Sequence, residues 1–271
     1  MLIPQVKILL PELDDFALYL LEQCQNHQID DWPLFTEQVR GFYTSPMMDK
    51  FERVIPGWIK MSSYTDQQTL IHVTSVLTAL FALPEFKQSP PVQQSQMIWV
   101  VLFHDVAKVA ELRKHDYVHA FRSAAIAGKA LAGLGFPVTT NYPDLIDEWV
   151  TLTNTAVVNR ADLQAFIQDN SKLSAITTGI DRLYGEYAPA TQIIKAVLLH
   201  ISIVNDPGYP TVAPLTDDQV RQYIDHATFP LLKMMMLVDT DGWCLFDPEN
   251  RQRLRHQTLE VFDAIGTLIG I

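Results

Sequence analysis

Two adjacent ionisable residues, His104-Asp105, end a run of seven consecutive apolar residues, Met97 to Phe103. An apolar run of that kind belongs in a core. A carboxylate at its end is costly to bury unless something compensates its charge. A divalent metal ion is the economical compensation, because imidazole nitrogen and carboxylate oxygen are both good ligands. Other ligand types stand where such a site would draw on them. His72 lies upstream, His119 and His200 lie downstream, and Asp239 follows the apolar run Met234 to Val238. A lone histidine on an apolar helix is usually a satisfied core residue, so the joint pattern carries the reading.

Lys108 is four residues from His104 and three from Asp105. On one helix it would share their side and could meet a substrate phosphate. Asp239 and Asp241 would lie about 200° apart on a helix, so only one should face the site. Asp239, directly after the apolar run, is chosen, and Asp241 is read as a helix-end or supporting group. His115, Asp116, His119, Arg122 and Ser123 form a second polar cluster, in which His115, His119 and Arg122 would share a helix face. His27, His226 and His256 have no such context and are read as surface residues.

The elements that must position these groups read as helices. Apolar residues recur at i, i+3 and i+4, glycines are few (11), and no β-branched alternation runs along the chain. Residues 11 to about 62 read as a helical N-terminal extension. Asp66 is a plausible N-cap for a helix to about Leu83, with Pro84 at its stop. A helix from about Val92 to Ala110 carries the doublet, and another starts near His115 and ends at Gly133. Residues 144 to 190 hold further helices, and Ala188 to Val204 forms one carrying His200. Asn205 to Pro210 ends it. Helices over about 217–245 and 248–269 complete an all-α fold.

The order His72, His104-Asp105 with Lys108, and Asp239 resembles the signature of the HD-domain metal-dependent phosphohydrolases, over roughly residues 62–245. The resemblance implies a helical bundle with an extension at 1–61, the hydrolase domain at 62–245, and a C-terminal helix at 246–271 packed on it. It implies a divalent metal (Fe, Mn, Ni, Mg or Zn) held by His72, His104, Asp105 and Asp239. It also implies a small, nucleotide-like phosphoester as substrate, attacked by a metal-activated water. Asp105, Lys108 and His119 take the catalytic roles. Lys108, His115, His119 and Arg122 take the substrate.

The run His119 to Ala124 resembles the family segment whose histidine touches substrate in one-metal members and binds a second metal in two-metal members. His200, after Ala196-Val-Leu-Leu199, is similar to the fourth histidine of the two-metal members. The expectation is one ion, with His119 aimed at an open pocket beside Lys108 and Arg122. If His119 and His200 both bind metal, the set resembles the di-iron HD oxygenases. A non-catalytic signalling module is the third reading. Gly208-Tyr-Pro210 is similar to an element of cyclic-dinucleotide phosphodiesterases, but His200 is followed by Ile201, so a helix-ending turn is preferred.

Composition bounds the partners. Apolar residues make up 48% of the 271, ample for a core. The net charge of −11 disfavours a long nucleic acid. No apolar stretch is long enough for a bilayer, and no signal peptide is read at the N-terminus. Cys24 and Cys244 form no CxxC pair, which points to the cytoplasm.

Overall fold

The computed structural model describes residues 3–62, 67–109, 115–203 and 213–271. About 72% of the protein is helical. Prolines start many of the helices, as expected where the first turn has no use for an N–H donor. Eight helices carry Pro at their first or second position: α2 (Pro11–Gln25), α3 (Trp32–Phe42), α4 (Ser45–Val54), α7 (Pro84–Gln88), α8 (Pro91–His104), α10 (Tyr142–Thr155), α12 (Pro189–Leu199) and α15 (Pro248–Ile269). The remaining helices are α1 (Val6–Leu9), α5 (Trp58–Ser62), α6 (Gln68–Ala82), α9 (His119–Gly133), α11 (Leu173–Tyr184), α13 (Asp217–Tyr223) and α14 (Thr228–Trp243). Among the described residues, no helix is long and apolar enough to cross a membrane.

The central element is α6. Every residue from Thr69 to Phe81 is buried, as befits a helix that is apolar nearly all round. Its hydroxyls are absorbed by its own backbone: Thr74 Oγ1 donates to Leu70 O at 2.8 Å and Thr78 Oγ1 to Thr74 O at 2.9 Å. Helices α2, α8 and α14 pack against α6, and α12 bridges α8, α9 and α14. The N-terminal helices are held into this body. Tyr43 Oη sits 3.2 Å from Thr74 Oγ1, and Trp99 Nε1 donates to Pro4 O at 2.8 Å.

Helices α6 and α14 cross in close contact at Gly242. Gly242 leaves no room for a side chain there: an added Cβ would lie 2.7 Å from Val76 Cγ2 and 3.0 Å from Val76 N. This contact sets the spacing between the helices that carry His72 and Asp239.

Several sequence boundaries shift. The helix of the doublet stops at His104, and Asp105 is its C-cap at φ −109°, ψ 6°. The next helix starts at His119, not near His115. Residues 144–190 are not wholly helical: an antiparallel hairpin pairs β1 (Val157–Arg160) with β2 (Ala165–Gln168). Four-residue strands are too short for their alternation to stand out in the sequence. The helix expected over 217–245 is broken between α13 and α14, where Asp225 Oδ1 accepts from Ala227 N and Thr228 N. The helix expected to Val204 ends at Leu199 with His200 as its C-cap. Pro84 marks the stop of α6 and begins α7. Asp66, Ala110, Val204 and the Asn205–Pro210 turn lie outside the described residues.

Candidate metal centre

Five elements deliver the polar groups. His72 lies in the second turn of α6, His104 ends α8, His200 caps α12, His119 begins α9, and Asp239 lies one turn before the end of α14. The C-terminal ends of α8 and α12 bring the negative ends of two helix dipoles toward this point, which favours cations. Asp105 reaches it from a turn, not a helix face. The chain leaves α8 as Lys108 N bonds Asp105 O at 2.9 Å, and Ala107 N donates to Ser123 Oγ at 3.1 Å. The fan of His104 and Asp105 around a continuing helix is therefore corrected to a helix end followed by a tight turn.

The groups converge as two triads: His72, His104 and Asp239 in one, Asp105, His119 and His200 in the other. Within each, the ligand atoms lie within 4.8 Å of one another. Asp105 joins them. Its Oδ2 is 3.7 Å from His72 Nε2 and 3.6 Å from His104 Nε2. Its Oδ1 is 3.0 Å from His119 Nε2 and 4.0 Å from His200 Nε2. His72 Nε2 is 2.8 Å and His104 Nε2 4.0 Å from Asp239 Oδ1. The four histidines and Asp105 are buried, while the Asp239 side chain keeps 23% of its surface exposed. The centre therefore opens to solvent on the Asp239 side.

Three of the histidines are oriented by one device. His104 Nδ1 lies 2.7 Å from Val101 O, His200 Nδ1 2.7 Å from Val197 O, and His119 Nδ1 2.6 Å from Asp116 O. A carbonyl only accepts, so each Nδ1 carries the proton and each Nε2 turns toward the centre. His119 Nε2 and His200 Nε2 then face each other at 3.2 Å. Two lone pairs at that separation repel unless a proton or a cation stands between them. His72 Nε2, His104 Nε2 and Asp239 Oδ1 are likewise buried without an aligned hydrogen-bond partner. Buried polar atoms are rarely left so. The donor set, nitrogen and carboxylate without thiolate, fits Fe, Mn, Ni, Mg or a catalytic Zn.

Electrostatics keep the ligands in their binding forms. Burial pushes the His200 imidazole down to about 3 and also lowers that of His104. Burial acts to raise the Asp105 carboxyl, but Lys108, with His104 and His119, outweighs it and holds it well below the usual carboxylate range. Asp239 is lowered too, His72 overcoming the effect of burial. The two histidines titrate lower in the folded than in the unfolded chain, whose imidazoles titrate near 6.5. Below that value the unfolded chain binds protons that the folded chain refuses, so stability falls with pH. The depressed carboxylates act in the same direction at lower pH. Chelator-treated protein should therefore lose stability from pH 7 to 5, by up to about 1.4 kcal/mol per pH unit per histidine. Thermal melts across that range check this; a melting temperature that rises on acidification contradicts it.

The other sequence candidates separate. Lys108 Nζ pairs with Asp105 Oδ2 at 2.6 Å, with 27% of its side chain exposed. His119 faces Asp105 and His200, which corrects the expected open pocket beside Lys108 and Arg122. Arg122 is engaged by the Asp116 carboxylate, which also accepts from Val109 N and Val118 N and so ties the Lys108 turn to α9. His115 is exposed, precedes the helix and stacks on Tyr117, so it shares no helix face with His119. Asp241 pairs with Arg255 at 2.7 Å. His27, His226 and His256 are exposed.

Sequence reasoning missed Trp243. Its ring stacks on His72 with centroids 4.2 Å apart and planes 20° apart. The available signal was its position one helical turn after Asp239, at i+4 on the same face.

No protein-family model, curated protein or solved structure matches this chain.

Proposed function

We propose that the protein is a two-metal phosphohydrolase acting on a small, nucleotide-like phosphoester. One observation carries the reading: the two carboxylate oxygens of Asp105 divide between two buried triads, Oδ2 toward His72 and His104 and Oδ1 toward His119 and His200. In this arrangement His72, His104 and Asp239 would hold one divalent ion and His119 and His200 the other, with Asp105 available to both. Bound ions would supply a water of lowered pKa and polarise a phosphoryl oxygen.

The chain's own residues do the rest. The carbonyls of Val101, Val197 and Asp116 fix three imidazoles in the tautomer that ligation requires. Lys108, on the exposed side, exchanges its pairing with Asp105 for the phosphate and neutralises charge as the ester bond breaks. Asp105, kept ionised, holds both of its oxygens in the ligating form. The two unpaired cysteines, Cys24 and Cys244, suit a cytoplasmic setting.

The same six ligands also suit a di-iron oxygenase, a reading favoured by the joint approach of His119 and His200 to Asp105. Phosphate release and oxygen uptake, measured on protein loaded with manganese or iron, separate the two. Phosphate release from nucleotides without oxygen uptake is expected. Oxygen uptake with no phosphate release from any phosphoester overturns the hydrolase reading.

A further inference from the structure

We infer that Trp243 selects a substrate whose phosphate lies close to a planar ring, a nucleotide in preference to a bare sugar phosphate. The inference takes the phosphate from the hydrolase reading above and the ring from Trp243 itself. Of the five tryptophans in the chain, Trp58, Trp99 and Trp149 are buried and Trp32 is half-buried. Trp243 is 55% exposed although one face of its indole is packed on His72. The part of the indole not packed on His72 supplies that exposure, with the Lys108 ammonium as its other neighbour.

That open surface lies at the solvent side of the metal centre. Trp243 is one turn beyond Asp239, and Lys108 Nζ lies over its ring, 5.9 Å from the centroid, a place it vacates when it turns to an anionic group. The same ammonium is 2.6 Å from Asp105 Oδ2. A ligand reaching Lys108 with an anionic group thus passes beside the indole. A planar ring on that ligand would extend the His72–Trp243 stack by a third layer, the offset arrangement aromatic rings favour. Stacking of this kind tolerates any base, since every base has a π-face. The site should then prefer nucleotides over ribose phosphates while discriminating weakly among bases.

The test compares wild type, Trp243→Ala and Trp243→Phe, each full-length and manganese-loaded. The measurements are kcat/KM for adenosine 5′-monophosphate and for ribose 5-phosphate, and equilibrium binding of the non-hydrolysable phosphonate analogue of the nucleotide. In Trp243→Ala the nucleotide should lose about 5- to 150-fold in kcat/KM and in affinity. Ribose 5-phosphate should lose much less than the nucleotide, and Trp243→Phe should restore most of the loss. Equal losses on both substrates overturn the inference, because Trp243 then acts only by supporting His72. If wild type releases phosphate neither from these compounds nor from any other phosphoester tried, the hydrolase reading falls. Trp243-dependent binding of the phosphonate analogue would still uphold ring recognition. Analogue binding that does not depend on Trp243 overturns it.

Discussion

Asp105→Ala is expected to remove both metal ions and to lower activity on the order of 10³-fold or more. Asp105 faces both triads, through different oxygens. Its loss takes a ligand from each and leaves four imidazoles and Asp239 to hold two dications. The fold should survive. The variant deletes a buried charge, and the Lys108 side chain it leaves behind is 27% exposed and can turn to water. Chelator-treated variant and wild type should then melt within a few degrees of each other, whereas the rise in melting temperature on adding metal disappears. Retention of stoichiometric metal by the variant contradicts the assignment.

Gly242→Ala is expected to cost the most in stability. The new Cβ would meet Val76 Cγ2 at 2.7 Å, Val76 N at 3.0 Å and Val76 Cα at 3.1 Å. A side-chain methyl can rotate away; main-chain atoms of a buried helix cannot. Helices α6 and α14 must separate, at about 1–3 kcal/mol for overpacking. The contact between Ser75 Oγ and Gly242 O, at 3.0 Å, weakens as well. A fall in melting temperature of roughly 2–12 °C follows for a chain of this size. The same separation moves His72 from Asp239, so metal affinity should fall about 10- to 100-fold, as for other losses of ligand support. Val76→Ala in the same chain should restore only part of both, since it removes Cγ2 and not the main chain. Unchanged melting and unchanged metal affinity would show that the crossing does not set the site.

Much of this centre was legible in the sequence because metal ligands announce themselves by type. An Asp after a long apolar run, as at Asp105 and at Asp239, has few uses in a core, and both prove to converge with His72 and His104. Helix periodicity allowed only one of Asp239 and Asp241 to face the site, the apolar run before Asp239 selected it, and the structure pairs Asp241 with Arg255. The direction of His119 was less legible. It depends on where α9 begins, and that start is fixed by the Asp116 carboxylate gripping Val109 N, Val118 N and Arg122, contacts made ahead of the helix rather than along it. The share of His200 in the centre depends on α12 ending beside α9, a tertiary contact separated by 81 residues from His119. The helical class was plain from periodicity. The hairpin of β1 and β2 was not, because its four-residue strands pair locally and bury little.

Metal stoichiometry tests the central claim most directly. Protein purified without chelator, or reconstituted and freed of excess metal, should carry two ions per chain, and His200→Ala should carry one. The second triad keeps only Asp105 and His119 in that variant, while His72, His104, Asp105 and Asp239 remain around the first ion. Elemental analysis of the two proteins side by side gives the answer. Two ions falling to one is the result predicted here; one ion in the wild type, unchanged in His200→Ala, contradicts it.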